Sequence, residues 1–387
     1  MSQPSDFDRT LRRIRLMLEE GQEEDALAQL DAIQADTPEQ LKEINYIHAR
    51  YSIQKELWNQ AVSYLSLLYD AASIEDGWVD ASHTERERRA FYLLWLGMAA
   101  VNLSRYEDAS QHYTQCLKIL QLRRVHLPRV RIKALIGLAM TCIPSGFYAV
   151  AIQHYQEALK VCSKEKLEHQ LKKDMADIYH GLSDAYRLTG DFDRARTYGN
   201  MALQMYEELS ERYFVGRMYN LLGRIAFHLG ENQLAAEHYM ESLSIATLDN
   251  RPGMQMVNFV AIADLRLSEN RLDEAQRYCQ RALEIAEQIQ RDHHLCGMMY
   301  LVCGKVEQQK ATLAQGQDAR FHLEEALDIY KKAEKELTQT QATTHLSELY
   351  GRCAEVHEAL NQPQAALTCW KTAFDVVANP KGTGWYE

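Results

Sequence analysis

Small side chains return along this 387-residue chain about every forty positions, and each return sits in the same local pattern. An aromatic or aliphatic residue precedes a small one, a Gly or Asn follows, then an Ala, then Tyr or Cys four residues on, and often a second Ala three later. The clearest copies are Tyr179, Ser183, Gly190, Ala195 and Ala202, then Tyr219, Gly223, Gly230, Ala235 and Tyr239. Two more run Ala263, Asn270, Ala275, Cys279, Ala282 and Gly97, Ala109, Tyr113, Cys116. Each copy makes sense as a helix, a tight turn and a second helix. Small residues let two backbones approach where the rods cross, and Gly or Asn tolerates the left-handed residue that ends the first helix. Asp191, Asp108 and Asp273 then cap or charge the start of the second.

Aligned on the small position, the copies fall at Ile14, Ala49, Gly97, Ala139, Ser183, Gly223, Ala263, Gly304 and Ala354. The pattern predicts nine hairpins, around residues 7–35, 42–70, 90–120, 132–162, 176–209, 216–247, 256–289, 297–337 and 347–378, in one solenoid over 7–378 with a tail at 379–387. A chain this long does not need one large core if every hairpin buries its apolar face against its neighbours. Composition agrees. Eighteen Gly and 7 Pro are about half the usual share, which excludes architectures rich in turns, and 46% apolar residues exclude a disordered chain. The longest apolar run, 91–101, is shorter than the ~18 residues of a membrane span, and Asp6, Asp8 and Arg9 stand where a secretory apolar region would lie. A cytoplasmic location is expected. The eight cysteines form no CxxC pair, so neither a zinc framework nor a disulfide scaffold is indicated.

These residues resemble the tetratricopeptide repeat family, with a step longer than the usual ~34 residues. The longer step is similar to that of kinesin light chains and of the bacterial Rap-type peptide-sensing regulators. The resemblance implies an all-α, right-handed α-α superhelix, a TPR-like solenoid, whose first helices line a concave wall. It also implies which positions face that wall. Counted from Gly97 and Ala139, they include Leu94, Met98, Ile136 and Met140, an apolar stretch. Counted from Ser183 and Gly223, they include Asp177, His180, Asp184, Arg187, Arg217, Asn220, Arg224 and His228, where the wall turns polar and mostly basic. Val257, Val260, Asp264, Met298, Leu301 and Lys305 continue it as a mixture.

An apolar stretch beside fixed donors suits a short peptide. Asn220 is expected to bond a peptide backbone, Arg224 and Arg217 to take a carboxylate, and Arg187 to close the patch. In the competing structural reading, Arg187 pairs with Asp184 or Asp177 on its own wall. No phosphate loop, nucleophile elbow or metalloprotease string occurs, so no catalytic residue, cofactor or metal is assigned. His293, His294 and Cys296 are close in sequence but lack a fourth ligand. A net charge of −11 disfavours nucleic acid as a partner. Its exception is the carboxylate-free stretch from Asp108 to Glu157, where Arg123, Arg124, Arg129 and Arg131 offer a dock for an acidic partner or a merely solvated rim.

The expected function is a noncatalytic scaffold that grips a protein or short peptide in the concave face. The alternatives are a peptide-sensing regulatory receptor of the Rap type and, from another class, an enzyme with an unrecognised site.

Overall fold

A computed structural model describes residues 6–69, 83–122, 125–164, 171–287, 293–340 and 343–378. Eighteen α-helices and no strand occur among the described residues. They are α1 (Asp6–Glu19), α2 (Glu23–Ala32), α3 (Pro38–Gln54), α4 (Trp58–Leu68), α5 (His83–Asn102), α6 (Tyr106–Leu120), α7 (Pro128–Cys142), α8 (Tyr148–Lys164) and α9 (Lys172–Leu188). There follow α10 (Phe192–Glu208), α11 (Arg212–His228), α12 (Asn232–Leu248), α13 (Pro252–Ser268), α14 (Leu272–Ala286), α15 (His293–Leu313), α16 (Gly316–Leu337), α17 (Thr343–Ala359) and α18 (Pro363–Ala378). This is the all-α helical-repeat class that the resemblance implied. The chain forms two compact units, residues 1–137 and 138–387, with the division inside α7.

The turns follow the sequence cues closely. Gly190, Gly230 and Asn270 adopt φ of 82°, 76° and 60°, each just past the end of a first helix. Here glycine, or the locally bonding asparagine, avoids the steric penalty that other side chains meet in the left-handed region. Asp191 then accepts from the Arg194 backbone N–H at 3.2 Å and caps α10.

In the unit of residues 1–137, the tyrosine of a second helix explains the small residues. A Cβ on Gly97 would stand 2.5 Å from the Tyr113 ring, and one on Gly137 would stand 2.2 Å from it. The ring thus lies between a glycine of its own hairpin and one of the next first helix, and neither can gain a methyl without displacing it. Cys116, one turn further along α6, is wholly buried and donates its thiol to the Ala90 carbonyl at 3.3 Å. Burial pushes that thiol up to about 12, as expected for a cysteine serving as a packing group.

The unit of residues 138–387 uses the same device. A Cβ on Gly223 would meet Tyr239 at 2.6 Å, and one on Gly304 would meet Tyr330 at 2.2 Å. The small residue therefore faces the aromatic of the second helix in these two hairpins. In a third, Ser183 Oγ donates to the Ala195 carbonyl at 2.7 Å, a direct approach to the opening Ala of the second helix. The core runs in clusters along the stack, one of them joining Met256, Val260, Ala263, Ala275, Cys279, Ala282, Met299 and Val302. Near the end of the chain, α17 returns toward the start of this unit. Thr343 Oγ1 donates to the Pro144 carbonyl at 3.5 Å, and a side-chain hydrogen bond joins Thr344 to Tyr148.

Candidate functional site

The residue immediately after the small one stands on the same first helix. In the second unit that position reads Asp184, Arg224, Asp264, Lys305, an alternation of charge from α9 to α15. The charges partly neutralise one another. Arg187 donates through Nε and Nη2 to Asp184 Oδ1 at 3.0 and 2.7 Å. Lys305 Nζ lies 2.6 Å from Asp264 and 3.4 Å from Glu348 of α17. Arg224 differs: it makes no hydrogen bond or ion pair with any described residue, and Asp184 and Asp264 act on it only at longer range. Burial, then the like charge of Arg187, works against its guanidinium charge.

Arg224 lines a cleft of about 240 Å³. Val257, Val260, Met298 and Leu301 give it an apolar wall, Phe227 and His228 stand beside Arg224, and His345 and Glu348 enter from α17. His345 Nδ1 is shut off from solvent and has no hydrogen-bond partner among the described residues. Its ring meets His294 edge-on, with centroids 5.1 Å apart. Burial above all, with the charges of His294, Arg224, Arg187 and Lys305 behind it, lowers this imidazole to about 3. It is therefore neutral at physiological pH.

Of the residues proposed from the sequence, Asn220, Arg224 and His228 border this cleft. Asn220 is only 8% exposed, and its Nδ2 donates to Asn258 Oδ1 at 2.8 Å. Asn258 in turn donates to Ser242 Oγ at 2.8 Å and to the Met254 carbonyl at 2.9 Å. The amide expected to serve a peptide backbone thus belongs to a buried chain that holds α11 to α13 and α12. Arg187 is buried on Asp184, the pairing that the competing reading foresaw. His180 meets Tyr206 edge-on and is lowered to about 3 by burial and then by Arg217. Arg217 is exposed, with its guanidinium 6.0 Å from the Tyr213 ring centre, and His228 stacks on Phe192. Met140 is 46% exposed. In the first unit, Leu94 is buried, while Met98 and Ile136 are half-buried.

His345 and Glu348 were not among the sequence-derived candidates: Glu348 stands six residues before Ala354, the offset at which Arg217 precedes Gly223, whereas His345, nine before it, falls at none of the counted wall positions. The charge alternation one step after each small residue was legible, and it points to the same face. Arg123, Arg124 and residues 379–387 lie outside the described residues. Arg129 and Arg131 both have partners. No group of three metal-ligating side chains is assembled among the described residues: His293 Nδ1 sits 2.7 Å from Glu336 Oε2.

The first unit has clefts of its own, one of about 310 Å³ beside Tyr46, Phe91 and Tyr92. One of its two carboxylates, Glu43, is already matched to Arg15 at 2.9 Å and Arg88 at 3.5 Å.

Residues 78–233 match the model of the MalT-like TPR region, and residues 258–289 match a tetratricopeptide repeat model. Over these residues the chain carries tetratricopeptide repeats. One curated relative, kinesin light chain-related protein 2 of Arabidopsis thaliana, is 24% identical over 213 residues, 52% of this chain and 30% of that protein. The chain spans less than a third of that relative's length. Among solved structures, a Rap protein complexed with competence and sporulation factor matches with a TM-score of 0.64 at 14% identity, over 97% of this chain and 99% of that one. The Rap conjugation gene regulator of plasmid pLS20, in complex with the Phr* peptide, gives 0.61 at 14% identity over 98% and 96%. At these identities the likeness is one of tetratricopeptide fold. No helix among the described residues is long and apolar enough to cross a membrane.

Proposed function

We propose that the protein is a noncatalytic binding module whose second unit, residues 138–387, holds a peptide or an extended segment of a partner protein in the cleft beside Arg224. The observation that carries this reading is a half-buried guanidinium with no direct partner, set against an apolar wall of Val257, Val260, Met298 and Leu301. Such a wall buries one or two ligand side chains, and the cation fixes their direction. The Rap structures that share the fold support the choice of ligand class, since one of them holds a peptide. The apolar and polar groups face each other without a strained turn that would present a nucleophile, so binding rather than bond-making is the chemistry on offer.

The test is a fluorescence-polarisation screen of the full chain against a library of acetylated pentapeptides. Saturable binding that Val260→Asp or Leu301→Asp abolishes, with helicity retained, supports the site. Binding that survives both changes places it elsewhere.

A further inference from the structure

Repeat stacks stay soluble when the outer face of a terminal hairpin is polar. In the unit of residues 138–387, α10, α12, α14 and α16 are each packed against the first helix that follows them. No described helix follows α18, which packs on α17. Its buried side carries Ala366 and Ala373, and Ser347 of α17 donates to the Ala373 carbonyl at 3.2 Å. Beside that side runs an exposed apolar stripe. Leu367, Trp370, Phe374 and Val377 are 48%, 43%, 71% and 60% exposed, and a spacing of three, four and three residues keeps them within about 80° of one another around the helix. Together they leave on the order of 400 Å² of apolar surface uncovered. A stable interface buries about 800 Å² per partner, a little over half of it apolar, so the stripe has the size of one interface core. Trp370 is already set in place, because its Nε1–H donates to Glu358 Oε1 at 2.9 Å and fixes the indole before a partner arrives.

Two features select a second copy of this chain as the occupant. The three-four-three spacing reads the same in both directions, so a copy running antiparallel about a two-fold axis beside Thr372 sets Trp370 against Phe374 and Leu367 against Val377. Lys371 and Asp375 border the stripe on the side away from the buried alanines, both exposed and neither paired with a described residue. The same two-fold brings Lys371 of each copy within about 3 Å, measured along the helix, of Asp375 of the other. We propose that this face of α18 is a self-association surface, on which two copies of the chain pair antiparallel through Leu367, Trp370, Phe374 and Val377, with reciprocal Lys371–Asp375 contacts at the rim. This surface is separate from the cleft beside Arg224 and does not depend on the peptide-binding reading.

Sedimentation equilibrium of the full chain, in a reducing buffer and from about 1 to 100 µM, tests the proposal. The expected result is a concentration-dependent equilibrium between monomer and dimer. Phe374→Glu, placed where the side chain already stands in solvent, is expected to weaken the dimer by about 30-fold or more, whereas Phe321→Glu, similarly exposed on α16, leaves it unaltered. Lys371→Asp and Asp375→Lys each set like charges face to face and are expected to cost about 10-fold. Combining the two exchanges restores the original constant, a reversal that a reciprocal contact produces. If another protein, or residues 379–387 of the same chain, cover this face, the protein stays monomeric throughout and the proposal is overturned. A dimer indifferent to Phe374→Glu overturns it too, as do single charge exchanges that the double exchange fails to rescue. A monomeric chain that still binds pentapeptides would remove this surface and leave the peptide-binding reading standing.

Discussion

Arg224 carries a half-buried charge that Asp184 and Asp264 offset only at longer range, and it shows what such a residue should do when it is changed. Replacing it with Met removes a charge that burial and Arg187 disfavour and keeps most of the apolar stem, so the unliganded chain should gain about 1 kcal/mol, read as a higher urea midpoint. A lower midpoint would mean that Asp184 and Asp264 already depend on it. Asn258 predicts the opposite sign. It bonds Asn220, Ser242 and the Met254 carbonyl with no exposure at all, so Asn258→Ala should cost about 1–3 kcal/mol by stranding those groups. Acid acts through the histidines. His180 and His345 are both lowered to about 3, against 6.5 when exposed, so the unfolded chain binds protons that the folded chain refuses. Their stabilisation is therefore complete above pH 6.5 and declines as pH falls toward 3, by about 1.4 kcal/mol per pH unit for each ring. Chemical denaturation at pH 7 and pH 5 should show this loss, and the His180→Gln, His345→Gln double variant should show much less of it.

At the level of the helical hairpin, the small position was read correctly as a site of close approach, although its partner was only half anticipated. The sequence shows that something must nestle at Gly223 and Gly304, but not that a tyrosine ring from the second helix fills the gap, because ring orientation depends on packing in three dimensions. The contrast between two glycines tests this. A methyl at Gly304 would lie 2.2 Å from Tyr330, so Gly304→Ala should destabilise by about 1–3 kcal/mol. At Gly351 the nearest atom is Trp370 at 3.5 Å, an ordinary contact, so Gly351→Ala should stabilise by about 0.5–1 kcal/mol through helix propensity. Equal effects at both sites would remove the steric account. Hairpin ends were legible because Gly190, Gly230 and Asn270 need the left-handed region, which is a local property. Which wall residues stay available to a ligand was much less so. Arg187 and Asn220 have the right types at the right spacing, yet each is taken by a neighbour, Asp184 and Asn258 respectively, whose competition no count of positions reveals.

Across residues 138–387, binding should read out as the rigidification of several first helices at once, because Arg224, Val260, Leu301 and His345 come from α11, α13, α15 and α17. Repeat stacks transmit such effects between adjoining hairpins. The Thr343 and Thr344 contacts make α17 the sensitive end. Thr343→Val with Thr344→Val should speed amide exchange in the first turns of α17 in the unliganded protein, while α12 and α14 are unaffected. Amide hydrogen exchange of the full chain, with and without a saturating pentapeptide from the screen, tests the central claim most directly. The account predicts slowed exchange in α11, α13, α15 and the start of α17. Protection confined to α12, α14 and α16, or to residues 6–122, would contradict it.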